Sequence, residues 1–344
     1  MTNVPTITGA RLIAETLHGY EDLGIRRIVT HSEKAAAYMA DGFARVSGRP
    51  GVCMAQSVGA ANLAAGLQDA YLGCSPVIAL TGRKPPAFQH RNAYQEIAHG
   101  PLFDPVTKYN VNVSTMEQLV HYLCQAFREA TCGTPRPVHL DVMGHRGDDI
   151  ELSTGNLHVI IEDTFARYPS QRPEPGDEDV QRAVQAMEKA SQPVIVAGGG
   201  ASASSAGPAI VELAEMLSIP VATSVNGKGI ISDDHPLSVG VVGTYSRRCA
   251  NQTVSEADLV IYVGSHTGDQ VTNEWTIPKP GTRIIQIDID PSELGRNYPH
   301  TIGLAGDAQA TVRKLIANGE LRMANCELRA MADFRVERPR AGRR

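Results

Sequence analysis

The 344-residue sequence is short of the features that announce many chemistries. It has no uninterrupted apolar run of about 18 residues, so no transmembrane helix is expected. Its six cysteines (Cys53, Cys74, Cys124, Cys132, Cys249 and Cys326) are scattered without any CxxC spacing. That speaks against a metal cluster and against a disulfide framework. The eleven histidines include no HExxH pattern, which leaves a zinc-hydrolase reading without support. A net charge of -5 exerts no global pull on nucleic acid or on an anionic membrane. The opening MTNVPTITGA lacks the basic and apolar regions of a secretory signal, so a cytoplasmic location is the expectation.

What remains is the composition of an ordinary α/β protein, 42% hydrophobic and 20% charged, with enough chain for two domains of about 150 residues. Residues 8–24 read as an amphipathic helix with Leu12, Ile13 and Leu17 on one face. A short strand is expected at Arg27–Thr30, then Ser32 as a helix cap before Glu33. Ala35, Tyr38, Met39 and Phe43 are expected to form the buried face of the helix that follows. Strands at Val52–Gln56, Val77–Thr81 and Val138–Val142 alternate with helices at Gly59–Leu72 and Met116–Thr131. A polar loop runs from Gly82 to about Pro101 between them. Such alternation predicts a parallel sheet wound with right-handed crossovers.

Around 163–180 the chain turns polar, with Pro169, Pro173 and Pro175, and reads as a linker. A second unit follows over 181–317, with strands at Pro193–Ala197, Val221–Thr223, Leu259–Val263 and Arg283–Ile289 and a helix at Ala209–Leu217. Residues 318–344 end in the arginine-rich RVERPRAGRR and read as a disordered tail. That run lacks the interleaved aromatics of a nucleic-acid binder. The cluster GGGASA at 198–203 lacks the third glycine of a dinucleotide fingerprint, and no acid stands on a strand about 20 residues later.

Two stretches carry the functional expectation: THSEKAAAYMADGFAR, ending at Arg45, and GVCMAQSVGAANL at 51–63. Each reads as a strand running into a helix rich in small residues, and ligands of open α/β sheets sit at such strand ends. With AYQE at 93–96, PVTKYN at 105–110 and RPVHLDV at 136–142, these segments resemble thiamine-diphosphate enzymes of the acetolactate synthase and benzoylformate decarboxylase type. In the second unit PVIVAGGGA, NGKGIISDDHP, EADLVIYVGS, IIQIDIDPSELG and AGDA keep that family's order. The resemblance spans about residues 5–315. It implies two doubly wound α/β domains: a pyrimidine-binding domain over 1–162 and a Rossmann-like central domain over 181–317.

By the same resemblance Glu33 is the catalytic carboxylate that bonds the cofactor's aminopyrimidine. Ser57, Gly59, Ala60 and Asn62 would line the cofactor cleft, and Gln95 would reach the active-site mouth across a subunit interface. The sequence departs from the family in reading Ser57-Val58-Gly59 where a Gly-Pro-Gly loop is usual, and in placing Ser32 between His31 and the glutamate. None of the pairs Gly147-Asp148, Gly268-Asp269 and Gly306-Asp307 is followed by the glycine of the family's diphosphate motif. The expectation is therefore a pyrimidine half-site whose diphosphate and Mg2+ are held by a domain absent from this chain. Its partner would be a second copy or a chain carrying that domain, and its substrate a small 2-oxo acid undergoing decarboxylation or carboligation. The central domain could hold FAD or an ADP-like nucleotide at loops Gly240–Tyr245 and Gly264–Gln270, with Arg247 and Arg248 near phosphate. The competing expectation is a non-catalytic regulatory or truncated subunit that dimerises with a complete enzyme or holds a nucleotide.

Overall fold

A computed structural model describes residues 6–20, 28–144, 150 and 152–318. Residues 21–24 of the first expected helix, Arg27, the Gly147-Asp148 pair, Cys326 and the tail beyond Asn318 lie outside the described residues. The chain divides into two compact units, Met1–Gln171 and Arg172–Arg344. Among the described residues no helix is long and apolar enough to cross a membrane.

In the first unit four parallel strands, β2 (Gly51–Gln56), β3 (Val77–Arg83), β4 (Tyr109–Val113) and β5 (Val138–Met143), pair in the order β2-β3-β5-β4. A separate antiparallel pair joins β1 (Thr6–Thr8) to β6 (Thr154–Asn156). Alternation along the parallel strands sorts side chains to two faces. Ile78, Leu80, Val138, Leu140 and Val142 meet α1 (Gly9–Tyr20) and α5 (Met116–Thr131) in one apolar layer. Cys53, Val77 and Ala79 face the other way, toward α2 (Glu33–Ser47), α3 (Gly59–Leu72) and Phe103 of the short α4 (Gly100–Phe103). Helix α5 starts on a capping box in which Thr115 and Gln118 exchange side-chain and backbone bonds.

Two expectations for this unit are corrected. Residues 28–30 form no strand, and Ile28 and Val29 are exposed. A two-residue apolar run has β-propensity, but only a neighbouring strand makes it a strand. The buried face of α2 is Ala37, Ala40, Asp41 and Ala44, while Tyr38, Met39 and Phe43 are each close to half exposed. The reason is proximity: a Cβ added at Gly66 of α3 would lie 2.7 Å from Ala37 Cβ and 2.8 Å from the Lys34 carbonyl. One added at Gly51 would lie 2.1 Å from the Ala40 carbonyl. Only alanine fits such a seam. Outside it, Tyr38 Oη reaches Asp69 Oδ2 and ties α2 to α3.

The second unit is a six-stranded parallel sheet. Its strands are β7 (Pro193–Ala197), β8 (Val221–Thr223), β9 (Ser238–Val241), β10 (Leu259–Val263), β11 (Arg283–Asp288) and β12 (Ile302–Ala305). They lie in the order β12-β11-β10-β7-β8-β9, the 3-2-1-4-5-6 arrangement of a Rossmann sheet. Ile195, Ala197, Ile261, Val263, Ile285 and Ile287 pack on one face with α6 (Asp177–Glu188), α8 (Gly207–Leu217) and α11 (Ala308–Asn318). Val194, Val196, Val260, Tyr262 and Ile284 pack on the other with α9 (Arg248–Glu256). The sheet is thus covered on both sides, as a parallel sheet requires. Helix α6 opens at Asp177, inside the 163–180 stretch, with three acidic residues in its first turn.

The seam gives a paired expectation for thermodynamic stability. Gly66→Ala forces backbone apart and should destabilise the chain by about 1–3 kcal/mol. Gly42→Ala, where an added Cβ meets nothing within 4 Å, should stabilise it by up to about 1 kcal/mol through helix propensity. Urea unfolding of the two variants beside the parent chain measures both signs.

Candidate active site

Glu33 is the first residue of α2, and Ser32 before it takes the extended N-cap conformation (φ -155, ψ 139) without a side-chain capping bond. The glutamate crosses onto the start of α3. Asn62 Nδ2 donates to Glu33 Oε2 at 3.1 Å, and a Cβ added at Gly59 would lie 2.7 Å from Glu33 Oε1. Glycine at 59 therefore leaves room for the carboxylate. One carboxylate oxygen is fixed by Asn62; the other faces bare backbone and has no hydrogen-bond partner among the described residues. The half-buried carboxylate is a natural acceptor for an N–H donor of a small flat ligand.

Ser57 shapes the approach to Gly59. It is buried and holds φ at 44, a left-handed conformation uncommon outside glycine. Its N–H donates to the Gly82 carbonyl at 3.1 Å, and its own carbonyl accepts from the Ala60 N–H at 3.0 Å. Ala60 itself is fully buried beside Ala37 and Leu63, so it meets the site through backbone. Glu33, Gly59 and Asn62 are thus brought together, with Ser57 and Ala60 setting the turn beneath them. Gln95 stands apart, in a loop at φ 60, its amide donating to Tyr94 Oη at 3.2 Å.

Behind this turn lies a polar cluster that sequence reasoning missed. Thr81, His99, His139 and Asp141 are all buried. Thr81 Oγ1 donates to Asp141 Oδ1 at 2.8 Å and lies 2.6 Å from His139 Nε2. His99 places Nδ1 2.9 Å from Asp141 Oδ1 and Nε2 3.1 Å from the Ser57 carbonyl. His139 Nδ1 meets Asn110 Oδ1 at 2.7 Å, and its ring stacks on Phe103 with centroids 3.6 Å apart. A signal was present: His139 and Asp141 sit two apart in RPVHLDV, on one face of an otherwise apolar strand.

Burial pushes two groups here away from ordinary titration. His139 falls from 6.5 to about 3, because its buried ring resists taking a charge. Cys53, wholly enclosed behind α2 and α3, is pushed up to about 12 for the same reason, which makes it an inert packing thiol.

In the second unit the sheet order puts a topological switch point between β7 and β10. The glycines there serve packing. A Cβ added at Gly198 would lie 2.1 Å from the Gly264 carbonyl, and one at Gly264 2.3 Å from the Ala201 nitrogen. Arg247 lies over Gly240 and is 3.9 Å from Asp233, while Arg248 opens α9.

Two parallel α/β units, one presenting a carboxylate beyond its strand ends and the other ordered as a Rossmann sheet, define a two-domain protein of the cofactor-binding α/β class. Comparison with known proteins then makes the assignment. Residues 2–102 match the thiamine pyrophosphate enzyme N-terminal TPP binding domain, and residues 180–315 match the thiamine pyrophosphate enzyme central domain. The chain belongs to the thiamine pyrophosphate enzyme family. It is 39% identical over 300 residues to a probable acetolactate synthase large subunit of Methanocaldococcus jannaschii, covering 86% of this chain and 50% of that protein. It is 34% identical over 295 residues to the acetolactate synthase isozyme 2 large subunit of Escherichia coli, covering 86% and 52%. An acetolactate synthase of Arthrospira platensis is 33% identical over 313 residues, 88% of this chain and 53% of its own length. The chain spans about half the length of the curated relatives it matches.

The shift at His139 carries a sign. Between about 6.5 and about 3 the unfolded chain protonates this histidine and the folded chain does not. Stability should therefore fall as pH drops through that window, with a slope of up to about 1.4 kcal/mol per pH unit from this group. Urea midpoints from pH 7 to 4 should show a flatter profile in His139→Asn, by the equivalent of one proton.

Proposed function

We propose that this chain supplies the aminopyrimidine-binding half of a thiamine-diphosphate site and serves carboligation or decarboxylation of a 2-oxo acid, as in an acetolactate synthase. The observation that carries the reading is the Glu33 carboxylate, held at Oε2 by Asn62 and open at Oε1 above Gly59. The residues fit the group: a one-sided acceptor, a cradle that any side chain at 59 would fill, and a domain match that includes both. Thiamine diphosphate, when bound, supplies a carbon nucleophile for the carbonyl of a 2-oxo acid and an electron sink for the bond that breaks. Glu33 holds or releases one proton at Oε1 toward the ring nitrogen of the aminopyrimidine, the acid–base part of that chemistry. Asn62 keeps the carboxylate from turning away, and Gly59 lets a flat ring come close. Ser57 and Ala60 border this cleft through the turn they form, and Gln95, apart from it within one chain, is assigned to the mouth of a neighbouring subunit's site across an interface.

We assign the diphosphate and its Mg2+ to a further binding domain packed against this one, outside these 344 residues. Helix α2 favours an assembly of that kind, because Met39, Phe43 and Val46 lie exposed along one side of it. For the central unit, a nucleotide such as FAD is supported by the strand order alone. The close packing of Gly198 and Gly264 accounts for those glycines without one.

Glu33→Gln should lower thiamine-diphosphate-dependent turnover of a 2-oxo acid by about 10²–10⁴-fold. The assay uses the chain with a diphosphate-binding domain, and calorimetry with thiamine diphosphate and Mg2+ accompanies it. Unchanged turnover in the variant would sink the catalytic role. Absence of cofactor binding with and without such a domain would favour a non-catalytic regulatory subunit.

A further inference from the structure

The buried cluster behind Ser57 has no part in the chemistry assigned to Glu33, yet it ends on the turn that carries Gly59. Its hydrogen-bond inventory is restrictive. A backbone carbonyl only accepts, so the 3.1 Å contact from His99 Nε2 to the Ser57 carbonyl needs a proton on Nε2. The other nitrogen, Nδ1, faces Asp141 Oδ1 at 2.9 Å, and that oxygen also takes the Thr81 hydroxyl at 2.8 Å. Both ring nitrogens of one buried histidine thus face acceptors. A histidine that merely fills space does not need this, and an aromatic ring fills the same layer next door, where Phe103 stacks on His139.

The other end of the contact is equally specific. Ser57 holds a left-handed backbone at φ 44, a conformation that persists in a non-glycine residue only when its surroundings impose it. Its carbonyl accepts from Ala60 inside the turn and from His99 outside it. His99 is thus a tie from the sheet side to that carbonyl, anchored in turn by Asp141 on β5. Two residues on stands Gly59, where Glu33 Oε1 approaches to within a hydrogen-bond length of an absent Cβ.

We infer that His99 is a positioning residue: bridging Asp141 to the Ser57 carbonyl, it fixes the Ser57–Gly59 turn and thereby the seat of the Glu33 carboxylate. The inference rests on reading Glu33 as the carboxylate that meets the cofactor. Misplacement of a reacting group by about 1 Å is enough to cost about 10²-fold in rate, so a tie of this kind acts on turnover more than on substrate affinity.

Two variants separate the two halves of the bridge. In His99→Gln the amide nitrogen falls near the place of Nε2 and keeps the bond to Ser57. In His99→Asn it falls near Nδ1 and keeps only the bond to Asp141. Amide hydrogen exchange over residues 57–62 of the full chain reads the turn directly, and thiamine-diphosphate-dependent turnover with a diphosphate-binding domain reads its consequence. The asparagine variant should speed exchange in that segment by about tenfold or more and lower kcat by roughly 10- to 100-fold. Its substrate KM should stay within about threefold, and the glutamine variant should stay close to the parent in both. Added to Glu33→Gln, His99→Asn should cost little more. The reverse pattern, rescue by asparagine and not by glutamine, overturns the inference, because it makes His99 a structural partner of Asp141 alone. Equal damage from both variants, or a full additional loss beside Glu33→Gln, overturns it too. If Glu33→Gln leaves turnover unchanged, the reading of Glu33 fails separately, and exchange at 57–62 still decides whether His99 holds the turn.

Discussion

Helices α2 and α3 approach each other as closely as side chains allow, and the candidate site depends on that approach. Gly66 lies against Ala37 and the Lys34 backbone, and Ala40 and Ala60 continue the seam into the sheet. Wider residues along it would move the start of α2 away from the start of α3. Glu33 would then lose both Asn62 and the space over Gly59, since each contact spans the gap between those two helix starts. Small residues here do more than fill a core. They set a distance, and close-packed interiors transmit such distances with little slack.

The same unit keeps its polar residues to one face of the sheet, toward the strand ends. On the α1 and α5 side strands β3 and β5 bury only apolar side chains, Ile78, Leu80, Val138, Leu140 and Val142. On the other side the register places Thr81 beside Asp141 and Ala79 beside His139, with Asn110 next to His139. Burying four such groups is unfavourable unless each is bonded, and the cost of stranding any one is about 1–3 kcal/mol. The bonds from Thr81, His99, His139, Asp141 and Asn110 therefore depend on one another. A connected set of this sort specifies one arrangement of its surroundings, which is what a turn with a strained residue at 57 needs.

Much of this was legible in the sequence where local pattern and burial agree. The helices at Gly59–Leu72 and Met116–Thr131 and the strands at Pro193–Ala197, Val221–Thr223 and Leu259–Val263 have the limits their apolar runs give them. The strands at Ser238–Val241 and Ile302–Ala305 escaped notice, because each is four residues long and only half apolar or interrupted by glycine. Glu33 and the small residues at the start of α3 could be placed at a strand-to-helix turn, while Asn62 is singled out only through the family resemblance. Their mutual contact could not, since it joins positions 29 residues apart. His99 lay in a stretch read only as a polar loop, and its partners stand 42 residues away on either side. Long-range pairing of buried polar groups leaves almost no local trace.

The sequence reading of α2 failed for a more instructive reason. Ala35, Tyr38, Met39 and Phe43 recur at the spacing of one helical stripe, and apolar residues at that spacing normally mark the side facing a core. In this helix the core side is the alanine stripe, chosen by the narrow gap to α3, and the larger side chains are left outward. A helix apolar on two sides is one that ordinarily lies between two bodies. The first body is the sheet of its own unit. Among the described residues nothing else in the unit covers the second side, and the carboxylate at the start of α2 is likewise open on one oxygen. The outward stripe and the Glu33 Oε1 acceptor, unpartnered among the described residues, belong to the same helix.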